Sequence, residues 1–244
     1  MEKVAVITGG SKGIGKALAI RLLSMEYEVV VCSRSIKDLA SMLVDFNTHI
    51  EFCDVRHYDH VKKLFENIIE KYGRVDVLAT CAGILGPMGH LEDCLMSAWS
   101  DTIQTNLIGT VNCTYEAIPI MKKQNYGRII TFCGGGIGGD KLEPGFSAYA
   151  TSKFAVGGFT EAMSKELDFY NITINAVSPG AIDTDMARRR WVKGGSPEKV
   201  VDLIQYLITT DKKINGRIIS ANWDNYKDET YENKNLFTLR RVVK

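Results

Sequence analysis

The sequence predicts an α/β fold, a parallel sheet with helices on both faces. Three observations carry this. Seven apolar runs of strand length alternate with segments of helical period along 244 residues. Val and Ile fill successive positions of those runs, as in strands covered on both faces. The composition is 45% hydrophobic and 24% charged, that of a globular chain long enough to bury a full core.

The elements follow in order. Residues 3–8 (KVAVIT) form a strand and lead into a helix from about Gly13 to Met25. Residues 27–32 (YEVVVC) precede a helix near 36–46, and residues 49–53 (HIEFC) precede an amphipathic helix that ends at Gly73. Residues 75–80 (VDVLAT) lead through a loop to one long helix from about Ala98 to Lys123. Residues 128–133 (RIITFC) precede a glycine-rich loop and a helix from about Ser147 to Tyr170. Residues 172–177 (ITINAV) lead into a polar loop, residues 196–208 form a helix with Pro197 in its first turn, and residues 214–220 close the sheet. Crossovers between parallel strands are right-handed. No linker or repeat interrupts residues 1–221, which read as one domain; residues 222–244 are a polar, aromatic extension.

Several function classes are excluded at this level. The net charge is +1, and neither an aromatic–basic stripe nor a zinc-finger spacing is present, so nucleic acid is not an expected partner. No apolar run reaches the ~18 residues of a membrane span. Met1 is followed by Glu2 and Lys3, which is not a signal peptide, and a cytoplasmic location is expected. The six cysteines form no C-x-x-C pair and no metal spacing with histidine, so reduced thiols and no metal are expected. Cys32, Cys53, Cys81 and Cys133 each close a strand, which gathers them along the carboxyl edge of a parallel sheet as small buried hydrophobes.

The chemistry lies in two places. After strand 1 the chain reads Thr8-Gly9-Gly10-Ser11-Lys12-Gly13-Ile14-Gly15 and enters a helix. Small residues let backbone approach a pyrophosphate, and a helix N-terminus offers free N–H groups to it. Tyr149 and Lys153 lie four apart on a helix and share a face. An ammonium beside a phenol favours phenolate and makes the pair a proton-transfer device.

The spacing T-G-x-x-x-G-x-G, together with Tyr149-x-x-x-Lys153, resembles the short-chain dehydrogenase/reductase family in its single-domain form. The resemblance covers roughly residues 3–220. It includes Asp54-Val55 after strand 3, Cys81-Ala82-Gly83 after strand 4, Asn106 in the long helix, and residues 178–184 (SPGAIDT) after strand 6. It implies a doubly wound, Rossmann-like sheet of seven strands, a nicotinamide cofactor, and hydride exchange with a small carbonyl or alcohol. Tyr149 is then the general acid, Lys153 its partner and a ribose ligand, and Asn106 the holder of a water in the proton relay. Pro179, Gly180, Ile182 and Thr184 line the nicotinamide. Cys81 stands where the family usually has Asn. The family also builds dimers and tetramers on the long helix and the Tyr149 helix, so a homo-oligomer is expected.

Dinucleotide folds that select NAD place a carboxylate at the end of strand 2. Here Ser33 holds that position and Arg34 follows, with Lys12 as a second cation in the glycine turn. Arg34 can grip a 2′-phosphate bidentately, so NADP(H) is expected over NAD.

The family's catalytic serine is missing. It stands shortly after strand 5, usually about thirteen residues before the tyrosine. Counting back from Tyr149 gives Gly136, and counting forward from the strand gives about Gly134. Three readings stay open. Backbone N–H groups of Gly134, Gly135 and Gly136 replace the hydroxyl; Ser147 or Cys133 is brought in; or the chain binds NADP(H) without turnover.

On the substrate side, residues 184–196 form a lid in which Arg188, Arg189, Arg190 and Trp191 could hold an anionic or sugar-like substrate. The extension carries Trp223, Tyr226, Tyr231, Leu236, Phe237 and Leu239, which must bury on the domain or on a partner subunit. Its Asn222-Trp223-Asp224 and its Leu-Phe-Thr-Leu-Arg-Arg ending are similar to family members associated with surface polysaccharides. A keto-sugar or related polar carbonyl is the first substrate class, and a 3-oxoacyl thioester is the second.

Overall fold

Strands β1 (Val4–Thr8), β2 (Glu28–Ser33), β3 (His49–Phe52), β4 (Val77–Thr80), β5 (Gly127–Phe132), β6 (Ile172–Ser178) and β7 (Ile218–Ser220) form one parallel sheet, in the order β3-β2-β1-β4-β5-β6-β7. The computed structural model describes residues 2–35, 48–134, 137, 142–189, 194–222, 224 and 226. The helix expected near residues 36–46 and most of the extension lie outside them.

Residues of β1 sort by parity, as a strand buried on both faces requires. Ala5 and Ile7 join the core under α1 (Gly13–Ser24) and α7 (Glu198–Thr209), with Leu18, Leu22, Ile204 and Leu207. Val4 and Val6 join the opposite core under α2 (Tyr58–Tyr72), with Leu64, Phe65, Cys113 and Met121. Gly73 ends α2 in the left-handed conformation at φ 71°, and its N–H caps Ile69 O at 3.0 Å.

The long helix expected over Ala98–Lys123 is not continuous. α3 (Met96–Ile103) passes through a π-helical turn, Gln104–Ile108, into α4 (Gly109–Gln124). The turn lets Asn106 aim its side chain at the backbone of Ile84 and at Ser152. α5 runs Ser147–Glu166 and so stops four residues short of Tyr170, where Tyr170 N closes a turn onto Leu167 O at 3.0 Å. Among the described residues no helix is long and apolar enough to cross a membrane.

The sheet order reverses between β1 and β4. In open α/β sheets a ligand crevice opens at such a point, beyond the carboxyl ends of the strands. Here the glycine turn follows β1 and Cys81-Ala82-Gly83 follows β4.

Candidate active site

A cleft of about 610 Å³ opens at this point. Its floor is backbone. Gly9 has φ 64°, and a Cβ there would stand 2.7 Å from Ala82 Cα; a Cβ on Gly15 would stand 2.6 Å from Gly9 O. The β1 exit, the β4 exit and the start of α1 therefore pack main chain to main chain, with Thr8 Oγ1 accepting from Ala82 N at 3.3 Å. Lys12, the N-cap of α1, makes no side-chain cap, which leaves the helix start open to a ligand's phosphates. Gly9, Ser11, Lys12, Gly13, Ile14 and Gly15 all line the cleft.

α5 lays Tyr149 and Lys153 along the other wall. Lys153 is 7% exposed, donates from Nζ to Phe132 O at 2.9 Å, and stands 5.7 Å from the Tyr149 ring centroid. Burial lowers its pKa from 10.5 to about 8, against a weaker opposing pull from the thiols of Cys133 and Cys81. Both cysteines line the cleft. Burial pushes the Cys133 thiol up to about 12 and the Cys81 thiol further still, so both stay neutral. The strand-ending cysteines thus divide: Cys32 and Cys53 sit in the core with Cys113, while Cys81 and Cys133 face Lys153.

Asn106 is buried and fully bonded. Its Oδ1 accepts from Ile84 N at 2.8 Å, and its Nδ2 donates to Ile84 O and to Ser152 Oγ, each at 2.9 Å. Ser152 Oγ in turn donates to Tyr149 O at 2.7 Å. The Asn106 side chain thus ties the β4 exit to α5. Sequence reasoning missed Ser152; its signal was a polar residue three positions after Tyr149, inside the buried face of the helix.

Of the two positions that the sequence counts for the missing serine, Gly134 lies among the described residues. A Cβ on Gly134 would stand 4.0 Å from the Tyr149 hydroxyl oxygen. Gly134 has φ 137°, where L side chains are strained. Gly135 and Gly136 lie outside the described residues. Ser147 is engaged elsewhere: its Oγ accepts from Trp99 Nε1 at 3.1 Å.

At the end of β2, Ser33 Oγ accepts from Ser11 Oγ and from Ser35 N, each at 3.2 Å, and Arg34 follows, exposed. Asp54 is tied to Arg56, with Nη2 to Oδ2 at 2.7 Å. Burial pushes the Asp54 carboxyl up, but the Arg56 hydrogen bonds and charge outweigh it, with Arg34 adding, and hold it below its ordinary range. Val55 packs against Gly109, and its carbonyl accepts from Asn112 Nδ2 at 3.0 Å. Lys12, expected to serve Arg34's region, reaches the lid: Nζ lies 3.9 Å from Asp185 Oδ2.

Beyond β6, Pro179, Gly180, Ile182 and Thr184 all line the cleft. Gly13 packs against Thr184, where a Cβ would meet Cγ2 at 2.9 Å. Asp183 N donates to Gly195 O at 2.9 Å and Gly195 N to Ala181 O at 3.0 Å, which pins both ends of the lid. Arg188, in α6 (Asp185–Arg189), is already paired: it reaches Asp183 Oδ1 at 3.3 Å and Asp185 Oδ1 at 3.1 Å. Two carboxylates thus compete with any anion it was expected to grip. The Arg189 side chain, Arg190 and Trp191 lie outside the described residues. Tyr226 of the extension is buried, its ring 5.4 Å from that of Tyr206 on α7.

Comparison with known proteins identifies the family and its fold. The family model for short chain dehydrogenases matches residues 3–193. The short-chain reductase protein NovJ of Streptomyces niveus is 34% identical over 195 residues, covering 76% of this chain and 71% of that protein. The 3-oxoacyl-[acyl-carrier-protein] reductase of Synechocystis is 34% identical over 227 residues, covering 85% of this chain and 89% of that protein. Among solved structures, ElxO with NADP bound superimposes with a TM-score of 0.82 at 30% identity, over 91% of this chain and 97% of that one. An actinorhodin polyketide ketoreductase variant with NADPH gives 0.83 at 28% identity, over 90% and 95%.

Proposed function

This chain belongs to the short-chain dehydrogenase family of oxidoreductases, and on that premise we propose that it reduces the carbonyl of a small polar substrate with NADPH. The observation that carries the proposal is the buried Lys153 beside Tyr149, on one helix face over a glycine-floored cleft. The residues fit a dinucleotide: Gly9, Gly13 and Gly15 line the cleft without side chains, and no side chain caps the start of α1, so backbone can meet a pyrophosphate directly. Gly9, Ser11 and Gly13–Gly15 hold the phosphates, Arg34 the 2′-phosphate, Asp54 and Val55 the adenine end. Cys81, Ala82, Gly83 and Pro179–Thr184 enclose the nicotinamide. ElxO and the actinorhodin ketoreductase, solved with NADP and NADPH, support the choice of cofactor.

When bound, the nicotinamide supplies the hydride. Tyr149 donates its phenolic proton to the carbonyl oxygen. Lys153 stabilises the phenolate left behind, and proton transfer from a positioned group is worth ~10²–10⁴-fold. Asn106 and Ser152 keep α5 and the β4 exit in register, so that the tyrosine stays aimed. The lid carboxylates Asp183 and Asp185 offer acceptors to substrate hydroxyls, which favours a keto-sugar or similar polyol ketone.

A 3-oxoacyl thioester is the second reading, favoured by relatives named 3-oxoacyl-[acyl-carrier-protein] reductase at 34–35% identity. We place the protein in the cytoplasm as a homodimer or homotetramer, with residues 222–244 packing on the domain or its partner. Exposed Leu95, the N-cap of α3, with Met96 on α3 and Tyr115 on α4, supports an interface there. NADPH oxidation with a panel of a ketohexose, an acetoacetyl thioester and a cyclic diketone tests the function. Turnover by the native protein and its loss in Tyr149→Phe are expected. NADPH binding without turnover of any panel member defeats the proposal in favour of a catalytically silent binder. Arg34→Asp lowers NADPH affinity ~10–100-fold, the worth of one charge-assisted contact, without lowering NADH affinity; unchanged NADPH affinity by calorimetry refutes the cofactor choice.

A further inference from the structure

Among the described residues, one backbone donor beside Tyr149 has no partner. Cys133 N donates to Val177 O at 3.0 Å, toward β6. Successive peptide groups of an extended chain point to opposite edges, so the N–H of Gly134 turns the other way. The carbonyl of Phe132 shares that second direction, and there it takes Lys153 Nζ at 2.9 Å. Among the described residues the Gly134 N–H has no hydrogen-bond partner; its carbonyl accepts from Ile137 N at 3.4 Å. A Cβ on Gly134 would meet the Tyr149 hydroxyl oxygen at 4.0 Å and, among the described residues, no other heavy atom within that distance. A donor, a proton source and the gap between them thus lie on one side of the β5 exit.

We propose that the backbone N–H of Gly134 is the second hydrogen-bond donor to the substrate oxygen, in place of the absent serine hydroxyl. The inference rests on the carbonyl reduction proposed above. Hydride reaches the carbonyl carbon from the reduced nicotinamide, which leaves oxidised. The C=O π pair moves to oxygen, and that oxygen takes the Tyr149 proton. Gly134 N–H transfers no proton; it holds the oxygen while negative charge gathers on it. Glycine serves because the missing side chain leaves the oxygen room to approach, and because it tolerates φ 137°.

The test removes one N–H. Gly134 is replaced in the full chain by glycolic acid, which turns that peptide bond into an ester. The carbonyl that the native chain reduces fastest is the substrate. Loss of one oxyanion donor lowers kcat ~10²–10³-fold with NADPH affinity and melting temperature unchanged, and a kcat within about threefold of native overturns the proposal. A second measurement needs no altered backbone. Cys133-Gly134 is the one Cys-Gly step in the sequence, so ¹³C-carbonyl cysteine with ¹⁵N-glycine labels this amide alone. In Tyr149→Phe with NADP⁺, its proton resonance moves downfield as the product alcohol is titrated in. A resonance that stays fixed to saturation overturns the proposal even where the ester protein folds poorly. Native protein that reduces no carbonyl defeats the parent reading as well. Native turnover with a fixed resonance defeats only this one.

Discussion

Lys153 makes the folded protein's stability depend on pH in a calculable way. Its ammonium is buried at 7% exposure, and its pKa falls from 10.5 to about 8 because burial removes it from water. The unfolded chain keeps the proton up to about pH 10.5, while the folded chain releases it near 8. Between those values the unfolded state binds the extra proton, so stability rises with pH. The contribution is complete above 10.5 and lost as pH falls through 8. At ~1.36 kcal/mol per pH unit, that window is worth about 3 kcal/mol. The perturbation is Lys153→Met, which keeps the length and removes the charge. Urea unfolding of both proteins, followed by tryptophan fluorescence from pH 7 to 10.5, is the assay. The loss of the hydrogen bond to Phe132 O shifts the variant by ~1 kcal/mol at every pH and does not affect the slope. Tyr27, raised to about 12 by burial, works in the opposite sense above pH 10, but equally in both proteins. The stability difference, variant minus native, therefore shrinks by about 3 kcal/mol across the window. A difference constant to within ~0.5 kcal/mol refutes the buried-ammonium argument. The same titration caps catalysis: kcat/KM declines as pH rises through about 8, where Tyr149 loses its charged neighbour.

Three further outcomes follow from the packing. Gly15→Ala forces a methyl to 2.6 Å from Gly9 O, so it weakens NADPH binding at the turn and costs ~1–3 kcal/mol by thermal unfolding; a variant that binds NADPH like native contradicts the close-packed floor. Asp76→Ala removes a fully buried carboxylate that takes Arg74 Nη2 at 2.6 Å and Val4 N at 2.8 Å. It lowers stability by ~3–5 kcal/mol yet leaves kcat per folded molecule unchanged, because these contacts lie at the opposite end of the sheet from the cleft. Asn106→Ala breaks the tie between Ile84 and Ser152, so kcat falls while NADPH affinity is kept; equal losses in both would mean that the residue supports the whole cleft and not the aim of Tyr149.

The sheet was legible because burial on both faces leaves a mark that needs no neighbour: β1 is apolar at every position but Thr8. The glycine turn and the Tyr149–Lys153 pair were legible because each is local, one a backbone constraint and the other a single helical turn. What escaped depends on distant partners. No glycine lies within Gln104–Ile108 to announce a π-helical turn; the bonds of Asn106 to Ile84 and Ser152, 22 and 46 residues away, accompany it. The Lys12–Asp185 approach joins residues that only the folded crevice brings together. Arg188 read as a free cation because the sequence shows a run of arginines. Asp183 and Asp185 stood in the same run, and a helical turn is what closes them on the guanidinium.

Two positions at which the sequence departs from what the resemblance implies fall close together. Cys81 stands where the resemblance implies asparagine, Gly134 is one of the two positions counted for the serine, and they follow the adjacent strands β4 and β5. Each exchange removes a side chain able to bond a neighbour well, and the ammonium of Lys153 lies close to Cys81 and bonds the strand end just before Gly134. With neutral thiols at Cys81 and Cys133, Nζ bonds the Phe132 carbonyl and no charged partner among the described residues, and burial lowers its pKa. Random decay would scatter losses across the glycine floor, the lid and the catalytic helix. Here the floor is intact at Gly9 and Gly15, Tyr149 and Lys153 are kept, and the changes converge on the rim where a substrate oxygen would sit. That pattern favours a rebuilt rim over an abandoned one: a drier ammonium with its pKa lowered to about 8, and a glycine that offers backbone where the resemblance implies a hydroxyl.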